Sequence, residues 1–173
     1  LRAQEKQEIA LLSINTFQKD LSDSNQLIRA LALRVMSSIR LPITAQVVML
    51  SVRKCAKDSS AYVRKTAAHA IPKLYSMDAG QEEALTEVIM DLVRDPSTLV
   101  TGSAIHAFSE VCPSRIDLLH GVFRKLCVVL GEMDEWGQIT IVDLLTRYAR
   151  SQFTDPNAAR AQRPGQGADD SSS

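Results

Sequence analysis

A motif that returns at nearly constant spacing constrains this chain more than anything else in it. The segment Asp58-Ser59-Ser60-Ala61-Tyr62-Val63-Arg64-Lys65-Thr66-Ala67-Ala68-His69-Ala70-Ile71-Pro72-Lys73-Leu74-Tyr75 opens on short polar residues, whose side chains can accept hydrogen bonds from the free N–H groups of a starting helix. Val63, Ala67, Ala70, Ile71 and Leu74 then follow at the three-four spacing that puts them on one helical face. Asp23 with Ile28, Ala32, Val35, Met36 and Ile39 is the same layout 35 residues upstream, and Asp95 with Val100, Ala104, Ala107, Phe108 and Val111 repeats it 37 downstream. Glu132 with Ile141, Leu144, Leu145 and Tyr148 is a fourth, weaker copy. A supersecondary unit repeated at this period cannot cover its own apolar stripe and must bury it against its neighbours. The expected architecture is all-α, a right-handed superhelix (solenoid) of helix pairs.

The periodicity predicts helices over about 4–20, from the cap Asp23-Ser24-Asn25 to about Arg40, and over about 44–57, 60–75, 80–94, 97–111, 114–131 and 135–150, in four antiparallel pairs. Ile9, Leu12 and Phe17 are expected inward on the first, and Val142, Leu145 and Tyr148 on the last, with Trp136 near its start. Leu41-Pro42, Asp95-Pro96-Ser97 and Cys112-Pro113-Ser114 mark helix boundaries, because proline disfavours helix in the residue before it. Pro96 suits a first helical turn, and Pro72, inside a helix, removes a backbone donor and predicts a bend. No strand-period alternation stands out. Residues 1–153 read as one repeat domain. Residues 154–173 turn to Ala, Gly, Pro, Gln and Ser without large apolar side chains, which is the composition of a disordered tail. The start at Leu1 and the lack of a polar capping unit suggest a piece of a longer array.

With 45% hydrophobic residues the chain can build a continuous core, and 20 acidic against 20 basic residues leave zero net charge. Such a balance argues against nucleic acid or an anionic membrane as the main partner by bulk field. Arg53-Lys54 and Arg64-Lys65 read as parts of a solvated face. Cys55, Cys112 and Cys127, odd in number, fit reduced, buried thiols better than a disulfide framework. No signal segment or long apolar run is present.

Catalytic constellations are missing too. No glycine-rich phosphate loop, Gly-x-Ser-x-Gly elbow or His-Glu-x-x-His occurs, so no enzyme and no cofactor is expected. His69 and His106 fall at one position of consecutive repeats, beside the inward stripe, where helix packing or an interhelix hydrogen bond is expected. Cys112, His120 and Cys127 match no zinc spacing. Glu132, Asp134 and Glu135 form an acidic loop, expected to be an exposed cap.

Two resemblances follow. The pairs Asp23/Arg29 and Asp58/Arg64 look like the paired positions of HEAT repeats, where they form a ladder of hydrogen-bonded ions between units. A loop carboxylate can take a bidentate guanidinium from the next unit. Thr101 and Gln138 stand at the arginine position later, so the resemblance implies a ladder that stops halfway. The wording is more specific. Asn15-Thr-Phe-Gln-Lys-Asp20, Leu27-Ile-Arg-Ala-Leu-Ala-Leu-Arg34, Tyr62-Val-Arg-Lys-Thr-Ala-Ala68 and Glu135-Trp-Gly-Gln138 resemble the trunk of beta-adaptins, large subunits of the adaptor complexes of vesicle coats. Ala67-Ala-His-Ala-Ile-Pro-Lys-Leu-Tyr75 and Leu145-Thr-Arg-Tyr-Ala-Arg150 look most like the beta-adaptins of the type-three complex. The likeness covers about residues 5–154; residues 157–173 resemble none of the family's later helices, hinge or ear.

This resemblance implies a structural subunit of a heterotetrameric adaptor complex, sorting cargo from Golgi and endosomes to lysosomes and related organelles. Its partners would be the second large, medium and small subunits, with an Arf-family GTPase and acidic phospholipid engaged through the whole complex. The implied location is cytoplasmic, peripheral on Golgi, endosomal and coated-vesicle membranes. A helical-repeat scaffold or nuclear-transport receptor is the alternative from another class.

Overall fold

A computed structural model describes residues 2–154, which carry eight α-helices, four short 3-10 turns and no strand. The helices are α1 (Arg2–Asp20), α2 (Gln26–Met36), α3 (Ala45–Ala56), α4 (Ala61–Met77), α5 (Glu82–Val93), α6 (Thr98–Val111), α7 (Phe123–Val129) and α8 (Glu135–Gln152). Odd and even helices pair as hairpins, and the even helices α2, α4, α6 and α8 pack side by side in one row. Together these contacts make an all-α solenoid. The proposed tail, residues 155–173, lies outside the described residues.

The core runs as one seam between the two layers. Val63, Ala67, Ala70, Ile71 and Leu74 of α4 are buried, as are Val100, Ala104, Ala107, Phe108 and Val111 of α6 and Leu85, Val88, Ile89, Leu92 and Val93 of α5. Alanine at these facing positions lets adjacent helix backbones approach closely, while Phe108 and the leucines fill the gaps between layers. α4 continues through Pro72, whose missing N–H leaves one turn a hydrogen bond short.

The expectations fail mainly at the ends of the stack. Ile9 and Leu12 are exposed, with Ile14 and Leu21 buried in their place. Among the described residues α1 packs chiefly on α2, so only one side of it is covered. Val142 is exposed on α8 for the same geometric reason, and Ile28 points outward while Ala30, Leu33 and Met36 carry the inward face of α2. α2 stops at Met36, four residues short of Arg40. The helix expected over 114–131 is broken: a 3-10 turn at Ile116–Leu119 precedes α7, and another at Leu130–Glu132 ends it. Gly121 sits at that break, and glycine weakens a helix interior. Ser97 caps α6, which leaves Pro96 outside the first turn. Cys127 is exposed, although Cys55 and Cys112 are buried.

Candidate functional site

The loops that open the even helices form a row of polar residues along one edge of the solenoid. In the second of these loops Asp58 does not cap its helix through the Ser60 position alone. It accepts the Ser60 N–H at 2.8 Å and turns its remaining lone pairs to Arg29 of the preceding unit. Arg29 Nε and one terminal nitrogen meet the two Asp58 oxygens at 2.8 Å each, a bidentate fork. The other terminal nitrogen donates to the backbone carbonyls of Asp23 and Ser24, in its own loop.

Arg64 repeats the arrangement one unit on. It grips Asp95 at 2.6 and 3.0 Å and donates back to the carbonyls of Asp58 and Ser59. Each arginine therefore ties its own loop to the next one. The fork runs forward, from arginine to the carboxylate of the following unit, the reverse of the direction expected from the paired positions. As a result Asp23 receives no guanidinium on its carboxylate among the described residues; its side chain accepts the Asn25 N–H at 2.7 Å. Asp95, not counted among the ladder residues by sequence reasoning, is the second acceptor. A signal for it exists, since it stands 37 residues after Asp58.

Both acceptors are mostly buried, and their titration reflects the fork. The Arg29 hydrogen bond, against the cost of burial, holds the Asp58 carboxyl below its ordinary range. For Asp95 burial pulls upward most strongly, but Arg64, the Ser97 N–H and the Lys125 charge together outweigh it, again leaving the group low. In both units the charged forms are the hydrogen-bonded ones.

Beyond Asp95 the chemistry changes. Thr101 occupies the arginine position and is fully buried; its hydroxyl donates to the carbonyls of Asp95 and Ser97, both at 3.2 Å. Gln138 reaches the carbonyl of Met133 at 3.2 Å. The bond to the home loop thus persists in all four units, and only the bond to the next unit disappears. Lys125 of α7 compensates in part by donating to the carbonyls of Val93, at 2.9 Å, and Asp95. Burial lowers the pKa of this ammonium while Asp95 raises it. Nothing in the sequence pattern marks Lys125, which comes from the outer helix.

Other singled-out residues find ordinary partners. His69 Nε2 lies 3.3 Å from the Ser103 hydroxyl on the neighbouring inner helix, an interhelix hydrogen bond. Burial, then the charges of Lys65, His106, Arg34 and Lys73, hold its pKa below the usual imidazole value. His106 pairs with Glu110 at 3.2 Å on its own helix. His120 meets the Tyr148 hydroxyl at 2.6 Å, and Tyr148 stacks on Phe123 with ring centroids 4.5 Å apart. Cys112, His120 and Cys127 do not converge, and among the described residues no three metal-ligating side chains do. Burial drives the Cys55 pKa up to about 11, which keeps that thiol protonated and unreactive. No described helix is long and apolar enough to cross a membrane.

A groove of about 390 Å³ lies between α4, α6 and α8, floored by Gly102 and Gly137 and bordered by Leu99 and Trp136. The acidic loop lines one side of it through Glu132 and Asp134.

Comparison with known proteins gives this geometry a lineage. A family described as the adaptin N-terminal region matches residues 1–163. The chain is 60% identical over 154 residues to the AP-3 complex subunit beta-2 of Mus musculus, which covers 89% of this chain and 14% of that protein. Identity is 50% over 156 residues with the AP-3 complex subunit beta of Dictyostelium discoideum, covering 90% and 14%. It falls to 38% over 153 residues with the AP-1 complex subunit beta-1 of Mus musculus, covering 84% and 16%. A solved-structure neighbour, a homology model of the full-length AP-3 complex in an intermediate open conformation, superposes with a TM-score of 0.60 at 35% identity. That match covers 86% of this chain and 24% of the other. The chain therefore spans 14% of the length of each of these two AP-3 relatives.

Proposed function

The chain belongs to the adaptin family, in its N-terminal region, and from this premise we propose that it serves as trunk of the beta subunit of the type-three adaptor complex. One observation carries the reading: the identity of 60% with an AP-3 beta subunit against 38% with an AP-1 beta subunit over the same stretch. The role is structural, in vesicle-mediated protein transport and cargo sorting from Golgi and endosomes to lysosomes and related organelles. Its partners are the second large, medium and small chains. An Arf-family GTPase and membrane phospholipid act through the whole complex, which works as a peripheral coat on the cytoplasmic side of Golgi, endosomal and vesicle membranes.

The geometry supports such a role physically. A solenoid presents a long surface whose shape is set by the rotation between successive units. Arg29–Asp58 and Arg64–Asp95 fix that rotation in the first three units, with Asp23 closing the first loop against α2. Bidentate ion pairs with little solvent suit this purpose, because they specify direction as well as distance.

Co-expression of the tagged chain with the other three subunits tests the reading. Retention of the medium and second large chains through purification is the expected result. Retention of a Ran-type GTPase or nuclear cargo instead, with no adaptor subunit, overturns it.

A further inference from the structure

Four large apolar side chains occupy the same exposed position, the second residue of each inner helix: Leu27, Tyr62, Leu99 and Trp136. Their exposures are 57%, 38%, 48% and 79%. Each stands two residues before the residue that bonds the home loop, so the register is the same in all four units. Helix formation does not ask for such residues there. The first turn favours carboxylates, through the partial positive charge of the helix N-terminus. α2, α4 and α6 carry no acidic residue in that turn. Nor does the core use them. A row of apolar tips that neither caps nor packs is a surface feature in search of a function.

The side-by-side packing of the inner helices lines these tips up. Ser60 hydrogen-bonds Gln26 between the starts of α4 and α2, and Leu99 and Trp136 line the same groove. Neighbouring packed helices sit about 8–10 Å apart, so the four tips span roughly 30 Å. That step selects the partner's secondary structure. Seven residues of α-helix rise about 10.5 Å and return to the same face. In a strand the matching step is about three residues, and an odd step turns the side chain to the opposite face. A helix with an apolar seam can therefore touch all four tips, and a strand cannot.

Charge fixes the partner further at the α2–α4 end of the row, whereas Glu132 and Asp134 border the Trp136 end. Along the border five residues beyond the home-loop donors run Arg34, His69, His106 and Asp143, with Lys65 and Lys73 beside His69. Among the described residues Arg34, Lys65 and Lys73 make no ion pair. We propose that the Leu27–Tyr62–Leu99–Trp136 row is a docking surface for an amphipathic helix of a partner protein, about three heptads long. Its apolar seam lies on the four tips, and acidic residues along one border face Arg34 and Lys65. This surface is independent of the ladder contacts and of which assembly holds the chain.

Trp136 is the chain's one tryptophan, so its emission reports the end of the row directly. The probe is a synthetic peptide of about 22 residues, free of aromatics, with leucine at heptad spacing and glutamates along one border. Titration into the 173-residue chain is expected to give a saturable blue shift. Leu27→Ser, roughly 30 Å from the reporter by the packing distance, weakens the affinity about tenfold, as loss of an interface anchor does. Circular dichroism confirms that the variant keeps its helix. A peptide with lysines in place of the glutamates binds about tenfold more weakly, and one with the leucines moved to alternate positions gives no shift. The proposal is overturned if emission does not move, if Leu27→Ser leaves the affinity unchanged, or if either altered peptide binds as well as the first.

Discussion

The first three units and the last hold together by different chemistry. From α2 to α6 the loops are joined by two nearly buried guanidinium–carboxylate forks, Arg29 to Asp58 and Arg64 to Asp95. Between α6 and α8 no such fork exists among the described residues; Thr101 and Gln138 bond only their own loops. In its place Lys125 donates to Asp95 from the outer helix, and Arg147 reaches the carbonyl of Pro113 at 2.6 Å. An aromatic cluster of Phe123, Tyr148 and Phe153 closes the C-terminal pair. The broken α7 lies on this second side, and the groove runs from α4 across α6 to α8. A fork fixes orientation, whereas carbonyl contacts and aromatic packing tolerate adjustment. The two ends of one repeat array can thus differ in rigidity while keeping the same helical period.

Variants that cut one half and spare the other put this contrast to the test. The largest effect should come from the shared seam. Ala67→Asp buries an unpaired carboxylate at a fully enclosed position of α4 and is expected to cost about 4 kcal/mol or more. Loss of the helical circular dichroism signal checks it. Asp95→Ala comes next, because it strands the Arg64 guanidinium and leaves the Ser97 N–H without its acceptor. A loss of about 3 kcal/mol in urea unfolding is expected, the cost of breaking a mostly buried pair. Thr101→Val, at the arginine position of the unit that sends no fork onward, removes one neutral hydroxyl shared between two carbonyls and should cost only about 1 kcal/mol. If Thr101→Val proves as damaging as Asp95→Ala, the distinction between the halves fails.

Acid should separate the halves as well. Asp58 and Asp95 have depressed pKa values in the folded chain, so their contribution is complete above the ordinary carboxylate pKa of about 4. It is lost as pH falls from about 5 through the lowered folded values. In Asp58→Asn with Asp95→Asn the slope of stability against pH over that window should flatten. The smallest effect belongs to His69→Ala. Its one hydrogen bond, to Ser103, is long and partly solvated, and a change under about 0.5 kcal/mol in thermal unfolding is expected.

Much of this was readable from residue order. The recurrence of Asp23, Asp58 and Asp95 with apolar stripes behind them requires stacked hairpins, since no single pair can enclose its own stripe. Periodicity alone turns Ile9, Leu12 and Val142 inward, yet among the described residues no helix covers them and they are exposed. Pairing Asp23 with Arg29 inside one motif hid the forward direction of the fork, which depends on how adjacent loops face each other. Lys125 escaped altogether because it enters from the other layer and follows no period. The apolar tips from Leu27 to Trp136 were visible one at a time, but their common exposure is a property of the packed row.

Residue-resolved amide hydrogen exchange on the chain and on Arg64→Ala tests the central claim, that stacked units are tied forward by forks in the first part only. The account predicts faster exchange in α4 and the first turns of α6 in the variant, with α8 nearly unchanged. Equal acceleration across all eight helices, or none near the Asp95 loop, would contradict it.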